Sequence, residues 1–193
     1  RFMARAMKVL KLPRKKTTVL VATSGDTGSA VGEAFRSLSG IKVFILYPEK
    51  EVSPIQKKQL DSIGKNVQAI AVKGKFDDCQ RLVKTAFSDP ALKSLNLTSA
   101  NSINIGRILP QIVYYFYAWA NTVDSEKSVI FAIPSGNFGN SLGCEIARRM
   151  GLPVKRMLIA VNENDEFPRF LESGTYRAVN PARACLSNAM NVG

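Results

Sequence analysis

The chain contains no histidine among its 193 residues. Catalysis by Ser-His-Asp or Cys-His groups needs an imidazole to accept and return a proton, and the two-histidine zinc helix needs imidazoles as metal ligands. The sequence therefore excludes these mechanisms within the 193 residues.

Cysteine is also sparse. The three cysteines, Cys79, Cys144 and Cys185, are odd in number and widely spaced. This spacing argues against disulfides and against a bound metal such as zinc. It predicts a reducing compartment, the cytoplasm.

Long apolar runs are missing as well. The longest candidate, Ile108 to Val123, is interrupted by Pro110, Gln111 and Asn121, and it predicts a core helix rather than a membrane span. The first segment, Arg1 to Leu12, is basic and amphipathic but has no long apolar centre, so it does not have the pattern of a signal peptide.

Acidic residues are fewer than basic ones, with 15 Asp and Glu against 27 Lys and Arg and a net charge of +12. Such an excess of positive charge is typical of proteins that bind nucleic acid. The basic residues form only small clusters, at 14–16 and 73–75, with no aromatic residues among them. We therefore expect a solvated basic surface that attracts small anions, and neither nucleic acid nor a membrane as partner.

What the sequence does contain is an alternation of short β-branched runs with amphipathic helical patterns. It predicts an α/β fold with a doubly wound, mostly parallel sheet and helices on both faces. The predicted strands are 17–22, 42–47, 67–72, 97–100, 128–133 and 157–161, and the predicted helices are 1–12, 28–38, 55–63, 76–87, 110–121 and 139–150.

Both ends of the chain look cut. The first helical pattern has no capping residue before it, and the last residues follow an apolar fragment. We expect a piece of a longer protein. Residues 162–193 mix charged and turn residues, so this segment is predicted to be irregular and to continue beyond the chain end.

Two glycine-containing loops each follow a predicted strand and precede a helix. They are Pro134-Ser135-Gly136-Asn137-Phe138-Gly139-Asn140 and Thr23-Ser24-Gly25-Asp26-Thr27-Gly28. Such a loop presents backbone N–H groups to a phosphate, and a side chain at the glycines would keep the anion away. Two loops of this kind on one sheet predict a site for a phosphorylated small molecule.

Neither loop matches the P-loop or the dinucleotide pattern G-x-G-x-x-G, since each supplies only a Gly-x-x-Gly pair. Glu49 and Glu163 lie near the ends of the following strands, where an acid that binds ribose would lie, so a nucleotide site stays an alternative. For either loop taken alone, a tight strand-to-helix turn without a ligand is the simpler interpretation.

A third candidate is the segment from Asn101 to Arg107, predicted as a loop or an irregular helical turn. Asn101 and Ser102 supply neutral hydrogen-bond donors, and Arg107 supplies a planar cation that can clamp a phosphate or carboxylate. The alternative is a pair of turn residues and a surface arginine, and spacing alone favours it.

These segments together resemble the threonine synthases, a group within the pyridoxal-phosphate-dependent enzymes that also include threonine dehydratase and cysteine synthase. The resemblance covers essentially the whole chain, and its motifs occur in the same order. The first loop is shared loosely across the family, whereas the second motif and the tail are specific. The segments that carry it are 23–29, 101–107, 134–140, 162–165 and 186–193.

The resemblance implies a lyase that uses pyridoxal 5′-phosphate to convert O-phosphohomoserine and water into threonine and phosphate. It implies that residues 1–161 form the phosphate- and cofactor-binding region. The implied cofactor-binding residues are Ser135, Gly136, Asn137, Phe138, Gly139 and Asn140 at the cofactor phosphate, with Asp26 near the pyridoxal 3′-hydroxyl. The implied substrate-binding residues are Thr23, Ser24, Thr27, Asn101, Ser102 and Arg107.

One departure from the family pattern concerns the Schiff-base lysine. In the family it lies in a Phe-Lys-Asp segment just upstream of the stretch that Arg1 to Ala4 resembles, and no lysine here has that context. We assign no catalytic lysine and expect this fragment alone to be inactive. A related pyridoxal-phosphate enzyme and a non-catalytic module that binds a phosphorylated ligand stay as alternatives.

Overall fold

The computed structural model describes residues 1–10, 16–101, 104–122, 127–178, 183 and 185–187. The chain divides into two compact units, Arg1–Asn104 and Ile105–Gly193. The predicted division after residue 161 stays a prediction.

The first unit is built on a parallel sheet. Its strands lie in the order β3-β2-β1-β4, and all three pairings are parallel. The strands are β1 (Thr17–Ala22), β2 (Ile41–Pro48), β3 (Val67–Val72) and β4 (Leu97–Thr98). The helices are α1 (Phe2–Val9), α2 (Asp26–Phe35), α3 (Pro54–Asp61) and α4 (Phe76–Ser88), with a 3₁₀ helix at Pro90–Leu95.

Alternate residues of β1 and β2 face opposite sides of this sheet. Val19 and Ile45 belong to a core cluster with residues of α2 and α3. Leu46 packs in another cluster with Cys79 and Val83 of α4. Helices therefore cover both faces, as a doubly wound fold requires.

In the second unit, the described residues form two parallel strands, β5 (Val129–Pro134) and β6 (Val154–Ala160). Its helices are α5 (Ile105–Thr122), α6 (Gly139–Arg149) and α7 (Glu166–Ser173). The core of this unit joins α5, α6 and the sheet, with Ile112, Tyr115, Ile133, Cys144 and Ala147 buried.

The α/β class, the parallel strands and the flanking helices are confirmed, but the described strands form two sheets rather than one. The first unit holds the loop after β1, and the second holds the loop after β5. Sequence periodicity predicts strands, whereas the choice of pairing partner depends on contacts that are distant along the chain.

Two helices differ from the expectation. Helix α5 begins at Ile105, so Pro110 lies inside it, and Arg107 lies in its first turn rather than in a loop or irregular helical turn before it. Helix α7 occupies a segment for which no element was predicted, and Pro168 fits there because a first-turn N–H has no partner within a helix.

In the part of the chain that the structure describes, no helix is both long enough and apolar enough to cross a membrane.

Candidate functional site

The loop after β5 is fixed at its first residue. The Ser135 backbone N–H donates to the carbonyl of Ala160 at the end of β6, at 2.8 Å. The Ser135 side chain is buried, with its hydroxyl 3.3 Å from the carbonyl oxygen of Ile133 and 3.4 Å from the hydroxyl of Ser141. The loop therefore starts from a rigid strand edge.

The chain then reverses at Phe138, which adopts the left-handed conformation with φ 51° and ψ 2°. Its carbonyl accepts hydrogen bonds from the Leu142 N–H at 2.9 Å and from the Ser141 hydroxyl at 3.0 Å. The Phe138 ring lies 4.3 Å from that of Phe167 in α7, centroid to centroid. Backbone and ring contacts thus hold a conformation that is unusual for a residue with a side chain.

We call residues 135–141 the anion loop. Within the described ranges, none of its six backbone N–H groups from Gly136 to Ser141 donates a hydrogen bond. They lie at the N-terminus of α6, where the helix dipole adds partial positive charge. A run of N–H groups without partners at such a place is suited to bind a phosphate.

Helix α5 packs against the beginning of α6. Arg107, Gln111 and Tyr115 recur every four residues and so lie on one face of α5. A Cβ built on Gly143 would lie 3.2 Å from the Cβ of Gln111, so the two helices approach closely there. The Gln111 side-chain amide donates to the backbone carbonyl of Arg107 at 2.9 Å.

Arg107 itself is half-buried, and burial lowers the pKa of its guanidinium. An arginine stays protonated at neutral pH in spite of such a shift. The face of α5 that packs against the anion loop therefore carries a partly desolvated cation one turn before Gln111. Desolvation strengthens the attraction of such a cation for an anion.

The loop after β1 is braced from within. Thr23 is 1% exposed, and its hydroxyl oxygen accepts from the N–H groups of Gly25 at 3.0 Å and Gly28 at 2.9 Å. A Cβ on Gly28 would lie 2.6 Å from Thr23 Cγ2, so a glycine is needed there. Two of this loop's N–H groups are thus already used, which distinguishes it from the anion loop.

Asn101 ties the ends of two neighbouring strands together. Its side-chain amide donates to the carbonyl of Ala22, the last residue of β1, at 2.9 Å, and its side-chain oxygen accepts from the Ser99 hydroxyl at 3.0 Å. Asn104 reinforces the turn by donating to the Ser99 carbonyl at 2.6 Å.

The structure describes only some of the remaining residues that were predicted to bind cofactor or substrate. Ser24 is exposed, and Thr27 is half-buried in the first turn of α2. Asp26 begins α2, but its side chain lies outside the described residues, as does Ser102. The structure brings Thr23 and Asn101 to the carboxyl ends of neighbouring strands, whereas Arg107 belongs to the second unit. The predicted grouping of all these residues around one substrate stays a prediction.

The bracing role of Thr23 can be measured directly. Thr23→Val keeps the side-chain shape but leaves two buried N–H groups without an acceptor, so the free energy of unfolding should fall by about 2 kcal/mol. Thr23→Ser keeps the oxygen and should cost about 1 kcal/mol for the lost methyl. Urea titration of the full-length protein compares the two variants, and equal losses would show that the hydroxyl does not brace the loop.

Nearly the whole chain matches a known family. The model of the "pyridoxal-phosphate dependent enzyme" family matches residues 1–192. Curated threonine synthase of Escherichia coli K12 is 49% identical over 180 residues, covering 92% of this chain and 42% of its own length. That of Buchnera aphidicola subsp. Acyrthosiphon pisum is 44% identical over 196 residues, covering 100% and 45%. The chain thus spans less than half the length of these relatives.

Solved structures agree with the sequence matches. The crystal structure of threonine synthase from Brucella melitensis with bound PLP has a TM-score of 0.86 at 43% identity, covering 97% of this chain and 41% of that one. The threonine synthase structure from Escherichia coli also has a TM-score of 0.86, at 46% identity, covering 99% and 46%.

Proposed function

The chain belongs to the pyridoxal-phosphate-dependent enzyme family, and from this membership we propose that the full-length protein is a threonine synthase. The reaction removes phosphate from Cγ of O-phosphohomoserine and adds water at Cβ, so that the products are threonine and phosphate. The identities of 49% and 44% to threonine synthases support this assignment. The activity is proposed for the full-length protein, because the chain spans less than half of those relatives.

The anion loop fits the phosphate of pyridoxal phosphate. The observation that carries the proposal is its run of N–H groups, which have no partner among the described residues. The residues that would hold that phosphate are Ser135, Gly136, Asn137, Phe138, Gly139 and Asn140, with Asp26 near the pyridoxal 3′-hydroxyl. When bound, the cofactor supplies an electron sink for negative charge on the substrate carbons.

We propose that residues of this chain neutralise the negative charge of the substrate phosphate and orient the substrate. The phosphate of O-phosphohomoserine leaves as a dianion, and fixed hydrogen-bond donors together with a guanidinium stabilise its departure. Arg107 would provide the guanidinium. The neutral donors would be Thr23, Ser24, Thr27, Asn101 and Ser102.

No lysine of the 193 residues matches the family's Phe-Lys-Asp pattern. Covalent attachment of the cofactor and proton transfer at the substrate carbons would therefore depend on residues outside the chain. We expect the purified 193-residue segment, given PLP and O-phosphohomoserine, to release no phosphate. Sustained release would overturn that part of the proposal.

We also place the protein in the cytoplasm, which three widely spaced cysteines support.

The assay that tests the function uses the full-length protein with three substrates: O-phosphohomoserine, threonine and O-acetylserine. We expect phosphate and threonine in equal amounts from the first, and little product from the others. A ketoacid formed from threonine without phosphate release from O-phosphohomoserine would identify a dehydratase instead. Binding of PLP without any turnover would identify a non-catalytic module.

A further inference from the structure

A buried tyrosine of α5 contacts the anion loop. The hydroxyl of Tyr115 donates to Asn140, with the backbone carbonyl oxygen at 2.9 Å and the side-chain oxygen at 2.5 Å. Tyr115 is 5% exposed, and its ring meets that of Phe131 edge to face at 4.9 Å. The hydroxyl is therefore held in place by the core of the second unit.

Asn140, in contrast, is exposed to solvent in the first turn of α6, and its N–H is one of the six that have no partner in the described part of the chain. An exposed residue at a helix end frays readily unless something holds it. Here one hydroxyl contacts both its main chain and its side chain. The core of the second unit is thereby connected to the end of the anion loop.

Preorganised N–H groups bind an anion more tightly than mobile ones, because less conformational entropy is lost on binding. We propose that Tyr115 is a positioning residue whose hydroxyl holds Asn140 so that the N–H groups of the anion loop face a single phosphate. This inference rests on the proposed function, in which that phosphate belongs to pyridoxal phosphate.

The chemistry of Tyr115 fits positioning rather than proton transfer. Burial raises the pKa of its hydroxyl to about 12. The group therefore stays neutral near pH 7 and keeps the proton that it donates to Asn140. Cys144 is the neighbouring titratable group, and its thiol pKa is also raised by burial, to about 11, so it adds no charge near neutral pH.

The test compares Tyr115→Phe with Tyr114→Phe and Tyr117→Phe in the full-length protein. The control tyrosines lie on the same helix but are 60% and 70% exposed. Each variant is titrated with pyridoxal 5′-phosphate and with pyridoxal, which lacks the phosphate. We expect Tyr115→Phe to raise the Kd for pyridoxal phosphate about tenfold, the effect of one hydrogen bond, and to leave the Kd for pyridoxal unchanged.

If Tyr115 only stabilised the fold, Tyr115→Phe would weaken the binding of both ligands alike. An equal loss of the two affinities therefore contradicts the inference. A wild-type protein that binds the two ligands equally well would instead overturn the proposed phosphate site. If the wild type prefers the phosphorylated ligand and Tyr115→Phe keeps that full preference, the phosphate site stands but Tyr115 does not position it.

A second variant tests whether the hydroxyl acts through Asn140. Asn140→Ala removes the side-chain partner at an exposed position, so folding should be little affected. In that background Tyr115→Phe should raise the Kd for pyridoxal phosphate by clearly less than tenfold, because part of the contact is already lost. An undiminished effect would show that the hydroxyl does not act through the Asn140 side chain.

Discussion

Replacing Arg107 with alanine in the full-length protein should lower kcat/KM for O-phosphohomoserine by about 100- to 1000-fold, because a charge-assisted contact to the leaving phosphate is lost. The Kd for pyridoxal phosphate should stay within about twofold, since the anion loop and not Arg107 holds the cofactor phosphate in this account. Arg107 is half-buried in the first turn of α5, so an anion beside it is partly shielded from water.

Two further arginine variants complete that experiment. Arg107→Lys keeps the charge but loses the planar fork, and it should recover only part of the activity. Arg149→Ala, on the exposed surface of α6, is the matched control and should leave kcat/KM unchanged. An unaltered kcat/KM for Arg107→Ala would remove Arg107 from the substrate site. A parallel loss of cofactor affinity would assign it to the cofactor phosphate.

The second large effect, on the affinity for pyridoxal phosphate, is expected from Asn137→Asp. This change places a carboxylate in the anion loop and keeps the size of the side chain. Asn137 is exposed and lies among the N–H groups that have no partner in the described part of the chain. The new charge would occupy those donors and repel the dianionic phosphate, so the Kd for pyridoxal phosphate should rise about 100-fold. Stability without cofactor should be unchanged or slightly higher, since a helix N-terminus favours negative charge.

The matched control is Gln68→Glu on β3, the same change from amide to carboxylate at another exposed position. It should leave cofactor affinity unchanged. Titration of each protein with pyridoxal phosphate, together with urea unfolding without cofactor, gives both quantities. If Asn137→Asp bound pyridoxal phosphate as tightly as the wild type, the phosphate would lie elsewhere.

Features encoded locally were predictable from the sequence. Strands β1 and β3 begin and end where periodicity placed them. Ser53 caps α3 through contacts within four residues of chain: its hydroxyl accepts from the Gln56 N–H at 3.2 Å, while its own N–H donates to the Gln56 side chain at 2.9 Å. The anion loop was predictable for the same reason, because its strand, its glycine-containing turn and its helix are adjacent in the chain.

Features that depend on distant contacts were not predictable in the same way. The hydrogen bond from Tyr115 to Asn140 joins residues 25 positions apart, and no local pattern indicates it. The start of α5 was misplaced, because a proline signals a helix start locally but is tolerated inside a helix that packs well. Thr23 illustrates a third limit, since the sequence does not distinguish a hydroxyl that braces its own loop from one that faces a ligand.

In the proposed site the anion loop holds the phosphate of pyridoxal phosphate. A crystal structure of the full-length protein with the cofactor bound tests it most directly. We expect phosphate oxygens about 2.7–3.2 Å from several backbone nitrogens between Gly136 and Ser141. A cofactor phosphate on the loop between Thr23 and Gly28, with the N–H groups of the anion loop facing solvent, would contradict it.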